Sequence, residues 1–228
     1  MQNKENFYNS IAYRFSEYKN KYDTNRRKEI LIDNYLSNID YRNKKILDCG
    51  CGDGYFISII NKISQTINIS GCDISTNLIK IAKETNKEVN FFEHNIYKNK
   101  TPNTYDIIIS SEVIEHCEDP KKALKNICES VSSDGYLILS TPNKLWNVVV
   151  KIASLLKLRP FQGYENFLTY NEIIKTLEEN NFKVLKFNGI HIYPFQFGFN
   201  KFHKFIDEQS KFINRLKINY AFLAKKAR

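Results

Sequence analysis

No stretch of this chain stays apolar for long. None of its runs approaches the roughly 18 consecutive apolar residues that a membrane-spanning helix needs. The opening residues, MQNKENFYNS, have no apolar core of the kind that a secretory signal carries. These absences lead us to expect a cytoplasmic protein without a transmembrane segment.

Paired cysteines are missing as well. The chain has five cysteines, an odd number, and no two of them stand as Cys-x-x-Cys. This spacing argues against a disulfide framework and against a cysteine zinc site. We therefore expect free and mostly buried thiols at Cys49, Cys51, Cys72, Cys117 and Cys128.

The net charge of +9 is concentrated at the two ends of the chain. Residues 1–44 carry nine Lys or Arg against six Asp or Glu, 45–200 carry seventeen of each, and 201–228 carry eight against two. A basic end can meet nucleic acid, an anionic membrane or an acidic substrate, or it can be a solvated face. Because the whole chain is rich in Asn, Ile and Lys, we favour the solvated face and do not favour nucleic acid as a partner.

From residue 44 onward, short apolar runs alternate with segments of helical spacing. Strands are predicted at 44–50, 67–74, 89–96, 105–113, 135–143, 182–192 and 219–227. Helices are predicted over 5–39, 54–64, 75–86, 119–131 and 169–182. The alternation predicts an α/β fold in which helices cover both faces of a largely parallel sheet.

Two segments stand outside this alternation. The aromatic-rich beginning of the chain, about 1–40, is predicted to form a helical cap. The apolar insertion after the fifth strand, about 144–168, is predicted to form a lid over the site. Since 228 residues without repeats or low-complexity linkers suit one soluble domain, we predict that 1–228 is a single domain.

A glycine-rich turn directly follows the first strand. Its sequence, Asp48-Cys49-Gly50-Cys51-Gly52-Asp53-Gly54, has glycines where the backbone must turn sharply and where a ligand approaches closely. Open α/β sheets bind nucleotides at this turn. The spacing is Asp-x-Gly-x-Gly-x-Gly and not the Gly-x-Gly-x-x-Gly of dinucleotide sites, which disfavours a dehydrogenase.

Polar residues also follow the next strands. Asp73 stands about 20 residues past the glycine turn, where an acid can accept hydrogen bonds from both hydroxyls of a ribose. Ile74 beside it can pack on an adenine face. Asn95 and Ile96 follow the third strand, where Asn95 can bond the adenine edge, and Ser111 lies at the end of the fourth.

In this order and at strand ends, the motifs resemble the class I S-adenosylmethionine (SAM)-dependent methyltransferases over about residues 40–145. The resemblance implies a Rossmann-like, seven-stranded sheet with an antiparallel last strand, and SAM as cofactor, whose ammonium group an acid such as Asp48 suits. Asn95 stands where that family usually has Asp. The cofactor-binding residues that we expect are Asp48, Gly50, Gly52, Gly54, Asp73, Ile74, Asn95, Ile96 and Ser111.

Two acids and a histidine follow the fourth strand. If a helical turn begins there, Glu112, Glu115 and His116 fall at i, i+3 and i+4 and share one face. His116, with Glu115, can then serve as the catalytic general base. Alternatively, all three can hold a divalent metal that lowers the pKa of an acceptor. A helix start with solvated acids is the third interpretation.

The Glu-x-x-Glu-His string resembles the O-methyltransferases of ubiquinone biosynthesis and the small-RNA 3′-terminal 2′-O-methyltransferases. In both groups it is associated with a metal and with an acceptor that has neighbouring hydroxyls. The RNA enzymes use a further histidine after a Thr-Pro-Asn segment, and here that region offers Glu165 and Asn166 instead. We therefore keep a divalent metal as an alternative that we do not favour.

The resemblance implies methyl transfer by direct displacement. We favour a hydroxyl oxygen of a small molecule, sugar or glycan precursor as acceptor. The alternatives are RNA ribose 2′-O-methylation, quinone or lipid methylation, and a non-catalytic SAM-binding partner subunit. An arginine of the pair Arg26 and Arg27 can bind the SAM carboxylate or an anionic acceptor, and His191 and His203 are expected to be structural.

Overall fold

Seven strands form one sheet in the computed structural model of the chain, which describes residues 4–63, 68–155, 165–194 and 200–228. Of 153–155 and 200–203 only the backbone is described. The strands are β1 Lys45–Cys49, β2 Asn68–Asp73, β3 Asn90–Glu93, β4 Tyr105–Ser111, β5 Val131–Pro142, β6 Phe182–Ile190 and β7 Asn219–Lys226. Every predicted strand is present, with ends that differ by a few residues.

The strands lie in the order β3-β2-β1-β4-β5-β7-β6. Neighbouring strands from β1 to β5 pair in parallel, whereas β7 pairs antiparallel with both β5 and β6. The predicted Rossmann-like sheet, mostly parallel with an antiparallel last strand, is confirmed. Because β7 lies between two strands, the basic end of the chain is part of the sheet as far as Lys226.

Eight α-helices pack around the sheet in the described ranges: α1 Lys4–Ile11, α2 Lys21–Lys28, α3 Tyr55–Ile63, α4 Thr76–Thr85, α5 Pro120–Ser130, α6 Asn147–Leu155, α7 Tyr170–Glu179 and α8 Asn200–Gln209. Several begin at residues that satisfy free backbone amides. Thr169 and Glu172 form a capping box at α7. Asp119 caps α5 just before its first residue, Pro120, and Ser75 caps α4.

The N-terminal segment is helical but is not the single helix predicted over 5–39. After α1 and a 3-10 turn the chain becomes extended at Lys19 and Asn20. The Asn20 side chain accepts hydrogen bonds from the amides of Tyr22 and Asp23 and so starts a new helix, α2. The segment ends in a π-helical stretch and a short 3-10 turn, Glu29–Tyr35 and Leu36–Asn38.

Alternate residues of the central strands build an apolar core on each face of the sheet. In β4, Ile107 and Ile109 pack with α3, α4 and the 29–36 segment, while Ile108 packs with α5 and α7. None of the three is exposed. Since burying one isoleucine stabilises the fold by about 1.5–3 kcal/mol, a strand covered on both faces is apolar throughout.

The fifth strand begins at Val131 and not at 135 as predicted. Val131 pairs with Tyr105, and the next pair joins Ile107 to Tyr136, so residues 132–135 bulge out of the ladder. Their sequence, Ser-Ser-Asp-Gly, is typical of a turn, which conceals the true start of the strand.

The two ends of the predicted lid insertion lie side by side. Asn143 and Leu168 form a parallel bridge, and the amide of Lys144 donates to the Leu168 carbonyl at 3.2 Å. Between them the structure describes a 3-10 turn, α6 and the stretch from 165 onward, while 156–164 lie outside the described residues. The assignment of 1–228 to one domain stays a prediction.

The cysteine expectation is confirmed, since all five thiols are free and all but Cys117 are buried. Among the helices of the described residues, none combines the length and the apolar character needed to cross a membrane.

Candidate active site

A cavity of about 1290 Å³ opens where β1, β2, β3 and β4 end. The N-terminal helices and α6 form its outer wall. Asp48 and Gly54 do not line it, but the other predicted site residues do: Gly50, Gly52, Asp73, Ile74, Asn95, Ile96, Ser111, Glu112, Glu115 and His116. The carboxyl ends of parallel strands thus bring the predicted site together, as in other open α/β sheets.

The glycine turn is fixed against β2. The amides of Gly50 and Cys51 both donate to the Cys72 carbonyl, at 2.8 and 2.9 Å. Gly50 and Gly52 have left-handed φ values of 76° and 55°, which side chains rarely adopt. A Cβ on Gly52 would lie 2.9 Å from the Phe15 ring. The absence of a side chain at Gly52 therefore leaves room for Phe15 of the N-terminal segment beside the turn.

Gly54 has a different task. Its φ is 80°, and a Cβ there would lie 2.9 Å from the Asn86 side chain and 3.2 Å from Ala82. The third glycine therefore lets the start of α3 approach α4, and it does not face the cavity.

Asp73 is buried at the end of β2 with each carboxylate oxygen on a backbone amide. One oxygen accepts from Gly52 at 2.9 Å and the other from Ser75 at 2.9 Å. Burial raises the pKa of Asp73, although these amide hydrogen bonds oppose the rise. Because each oxygen keeps a further lone pair, the carboxylate can still accept hydrogen bonds from two hydroxyls of a ligand.

The residues expected around an adenine lie at the same edge. Ile74 is half-buried and Ile96 is buried, and both line the cavity. The Asn95 side-chain oxygen accepts from the amides of Tyr97 and Lys98, at 3.1 and 3.3 Å. Its amino group, a donor, is therefore the part of Asn95 that can bond an adenine edge.

Asp48 is a buried acid behind the glycine turn. Its Oδ2 atom has no hydrogen-bond partner among the described residues. Burial and the nearby charge of Asp73 raise the pKa of Asp48 to about 7, while the Lys19 charge lowers it. A cation in the cavity would stabilise the ionised form, so the orphaned carboxylate fits a positively charged cofactor such as SAM.

Glu112 does not begin a helical turn. Its φ is 57° and its amide donates to the Ser140 carbonyl at 3.0 Å, which keeps the residue tied to β5. Its carboxylate accepts from Ser140 Oγ at 2.9 Å and from Asn219 Nδ2 at 2.7 Å. Only Ile114–His116 forms a short 3-10 turn. The helical face that the sequence suggested for Glu112, Glu115 and His116 therefore does not form.

Glu115 and His116 nevertheless meet at the cavity. The Glu115 carboxylate is buried, accepts from Thr141 Oγ1 at 3.3 Å, and has Oε1 at 4.0 Å from His116 Nε2. Burial, with the neighbouring Glu112 charge, raises the pKa of Glu115 well above its usual range. The His116 ring packs edge-on against Tyr8, with centroids 5.8 Å apart. A carboxyl and an imidazole so placed can hold or move a proton.

A metal centre finds limited support in the described part of the chain. No group of three or more His, Cys, Asp or Glu side chains there is arranged as a set of metal ligands. Glu112, one of the three possible ligands, already accepts hydrogen bonds from Ser140 and Asn219. Glu165 lines the same cavity. The metal-ligand set of Glu112, Glu115 and His116 stays a prediction.

Sequence reasoning missed a buried ion pair in the cavity wall. Arg27 Nη2 donates to Asp23 Oδ2 at 2.7 Å and Nη1 to Ser111 Oγ at 3.1 Å. Arg26 turns away from the cavity toward Glu29 and the α8 acids. The i, i+4 spacing of Asp23 and Arg27 was the available signal. Of the two arginines, Arg27 is the one that faces the cavity.

The mouth of the cavity is apolar on the α6 side. Trp146, Val149, Val150 and Ile152 line it. Val149 and Ile152 also remain 44% and 53% exposed. The site thus joins a polar floor of acids and imidazole to an apolar entrance.

Comparisons with known proteins agree with this geometry. Residues 22–186 match a family described as methyltransferase domain. The chain is 25% identical over 207 residues to a protein of Colwellia psychrerythraea named ubiquinone biosynthesis O-methyltransferase, with 84% of this chain and 79% of that protein covered. It is 27% identical over 173 residues to a protein of the same name from Coxiella burnetii, with 71% and 73% covered.

Solved structures show the same fold at low identity. The magnesium protoporphyrin IX methyltransferase of Synechocystis, solved with bound S-adenosylhomocysteine, has a TM-score of 0.69 at 16% identity, with 98% of each chain covered. A SAM-dependent methyltransferase of Mesorhizobium loti has a TM-score of 0.62 at 15% identity, with 84% of this chain and 94% of that chain covered.

Replacing Asp73 by Ala should weaken SAM binding at least about 100-fold, because two hydrogen bonds to a charged group contribute about 3 kcal/mol. Titration calorimetry measures the affinity. Glu93→Ala is the matched control, since Glu93 pairs with Asp73 in register at the end of the next strand but is exposed and outside the cavity. Unfolding midpoints check that loss of the Gly52 hydrogen bond has not unfolded the turn. Parental affinity in folded Asp73→Ala would exclude the ribose role.

The affinity for SAM should fall as the pH drops below about 7, the pKa of Asp48 in the free protein. The protonated acid must lose its proton before it can stabilise a cation, so the affinity falls by up to about tenfold per pH unit. Calorimetry in buffers of different ionisation enthalpy counts the released proton. Asp48→Asn should flatten this dependence, and an unchanged slope in that variant would assign the proton to another group.

Chelation should lower turnover less than about tenfold, because Glu112 is engaged by protein donors and the later histidine is missing. Activity is measured after chelator treatment and after add-back of Mg²⁺, Mn²⁺ or Zn²⁺. If one ion alone restores a lost activity, and Glu165→Ala abolishes that rescue, then a metal site completed by Glu165 exists and our preference is wrong.

Proposed function

This chain belongs to the methyltransferase domain family, which its residues 22–186 match, and we propose that it transfers the methyl group of SAM to a hydroxyl oxygen of a small-molecule acceptor. The observation that carries the proposal is that one cavity holds both the glycine turn and the Glu115–His116 pair. SAM supplies an already activated methyl group when bound. The protein's main task is then to hold donor and acceptor in line.

We assign one group of the cavity to each part of SAM. Asp73 would accept from the ribose hydroxyls, and Ile74, Asn95 and Ile96 would surround the adenine. At the other end, near Ser111, we assign Arg27 to the carboxylate of SAM, because a guanidinium suits a carboxylate in geometry and charge. We assign the backbone of Gly50 to the ammonium side, where Asp48, which lies behind the turn and does not line the cavity, would act through its charge.

His116 is the residue that we assign as general base. It borders the cavity, and its Nε2 atom lies 4.0 Å from Glu115. The raised pKa of Glu115 favours its protonated form, so we do not assign Glu115 as the base. In this assignment His116 takes the proton of the acceptor hydroxyl, while Glu115 holds the imidazole in place.

The acceptor end of the cavity supports a hydroxylated ring or head group with an apolar body. Such a molecule would place its hydroxyl at His116 and its apolar part along Trp146, Val149 and Ile152. Among the alternatives from the sequence, this arrangement favours a quinone- or lipid-like acceptor over a sugar or glycan precursor. The names of the relatives from Colwellia psychrerythraea and Coxiella burnetii point in the same direction.

RNA is a less suitable acceptor. Of the eight basic residues in 201–228, five make contacts within the protein and leave little of a basic strip for phosphates. Their partners are acids, an aromatic ring or backbone carbonyls: Lys204 with Glu29, Arg215 with Tyr170, Lys217 with Asp207, Lys225 with Asp134, and Lys226 with Cys128 and Val131.

His116→Ala should lower turnover by about 10²–10⁴-fold, the usual effect of losing a general base, while SAM affinity stays at the parental value. Turnover is measured with labelled SAM and a panel of phenolic, catecholic, quinol, sugar and RNA acceptors. Glu129→Gln on α5, which is remote from the cavity, is the control for handling and folding.

Two results would contradict the assignment. Unchanged turnover of His116→Ala at saturating acceptor would make His116 structural. Tight SAM binding without methyl transfer to any acceptor of the panel would favour the non-catalytic partner subunit.

A further inference from the structure

The chain makes an unusual turn where β6 ends. His191 is buried and has a left-handed φ of 63°, a conformation uncommon outside glycine. Its amide donates to Asp207 Oδ2 at 2.8 Å, and its carbonyl accepts from the amide of Ile218 at 2.9 Å. Asp207 in turn is held by Lys217 Nζ, which donates to its carbonyl at 2.6 Å. The His191 backbone is thus fixed by α8 and by the residue just before β7.

From this fixed backbone the His191 ring reaches the N-terminal helices. His191 Nε2 lies 2.9 Å from Asp23 Oδ1 in α2. The other oxygen of Asp23 accepts from Arg27 Nη2 at 2.7 Å. Burial would raise the pKa of Asp23, but the Arg27 charge and the His191 hydrogen bond outweigh it and bring that pKa down to about 2. The carboxylate is therefore ionised and shared between an imidazole and a guanidinium.

Arg27 continues this chain of contacts into the cavity. Its Nη1 donates to Ser111 Oγ at the end of β4, and its side chain is only 13% exposed. The Nε atom has no hydrogen-bond partner among the described residues. A buried guanidinium with an unused donor at a cavity wall is a site for an anion.

We propose that His191 is a positioning residue for cofactor binding: it fixes Asp23, and through Asp23 it orients Arg27 toward the carboxylate of SAM. The proposal rests on the proposed contact of Arg27 with that carboxylate. An arginine recognises a carboxylate well only when its planar fork is held in one orientation, because its long side chain otherwise loses much rotamer freedom on binding. His191, 168 residues from Asp23 in the sequence, provides that restraint from across the fold.

A matched pair of replacements isolates the hydrogen bond. His191→Phe keeps a ring of similar size but removes the donor, whereas His191→Gln keeps a nitrogen donor. Both replacements meet the same left-handed backbone, so their difference reports the bond to Asp23 and not the strain.

We expect His191→Phe to raise the KM and Kd for SAM about tenfold, the effect of one hydrogen bond to a charged group. The kcat at saturating SAM should stay within about twofold. His191→Gln should restore most of the affinity. Calorimetry, steady-state kinetics and the unfolding midpoint are measured for each variant. If His191→Phe lowers the unfolding midpoint without changing SAM affinity, then His191 is a merely structural residue and the proposal is overturned.

The Arg27→Met background tests the route of the effect. If His191 acts through Arg27, His191→Phe adds no further loss of SAM affinity in that background, whereas an independent effect would add in full and overturn the proposal. If His191→Phe fails to fold, Asp23→Asn replaces it, because it weakens the contacts of residue 23 with His191 and Arg27 at nearly constant volume. Asp23→Asn should give the same selective rise in the KM for SAM.

Failure of the His191 proposal can be distinguished from failure of the proposed methyltransferase activity. If Arg27→Met itself leaves SAM affinity unchanged, the carboxylate contact is wrong and the His191 proposal falls with it. Methyl transfer by the parent protein, measured separately with labelled SAM, tests the proposed function independently of both variants.

Discussion

The hydrogen bonds between the glycine turn and β2 are the contacts on which the proposed cofactor site depends. Gly50 and Cys51 donate to Cys72, and Gly52 donates to Asp73, so the turn and the acid at the end of β2 are one unit. The lack of side chains on the glycines of the turn is equally important. A Cβ on Gly50 would overlap Val113 in the loop after β4, and a Cβ on Gly52 would crowd Phe15 of the N-terminal helices. The cofactor turn therefore has close neighbours in both the catalytic loop and the outer wall.

Charge gives this cavity its preference for a cationic ligand. Asp48, Asp73 and Glu115 are buried and Glu112 is partly buried. Burial raises the pKa of all four acids, and Arg27, whose side chain is 13% exposed, is a cation that lines the cavity. Burying a carboxylate without a counter-charge is costly. SAM carries a sulfonium and an ammonium, so its binding would offset part of that cost, whereas the product loses the sulfonium charge. The acids that favour binding of SAM would therefore bind it less tightly once it has lost its methyl group and its sulfonium charge, which favours release of the spent cofactor.

The fold and the cofactor half could be predicted because their signals are local. A glycine turn after an apolar strand, or Asp73 at a strand end, is visible within a few neighbouring residues. Glu112 could not be placed in this way, because the hydrogen bond of its amide to Ser140 pulls it out of a helical turn. The Asp23–His191 contact joins residues 168 positions apart. Nothing in the local sequence around either residue predicts that the two are in contact. Long-range polar contacts have no periodicity, so one sequence does not reveal them.

Polar contacts join α2, in the outer wall of the cavity, to the segment between β6 and β7. α2 brings Asp23 and Arg26, and the segment between β6 and β7 brings His191, Asp207 and Lys217; together they form a buried ionic cluster. Such clusters add little net stability, but removing one partner leaves a buried charge unpaired at a high cost. The contacts therefore fix how the two segments lie against each other. Arg27 is four residues from Asp23 on the same helix face, so in our proposal the cofactor site depends on this cluster as well as on the glycine turn.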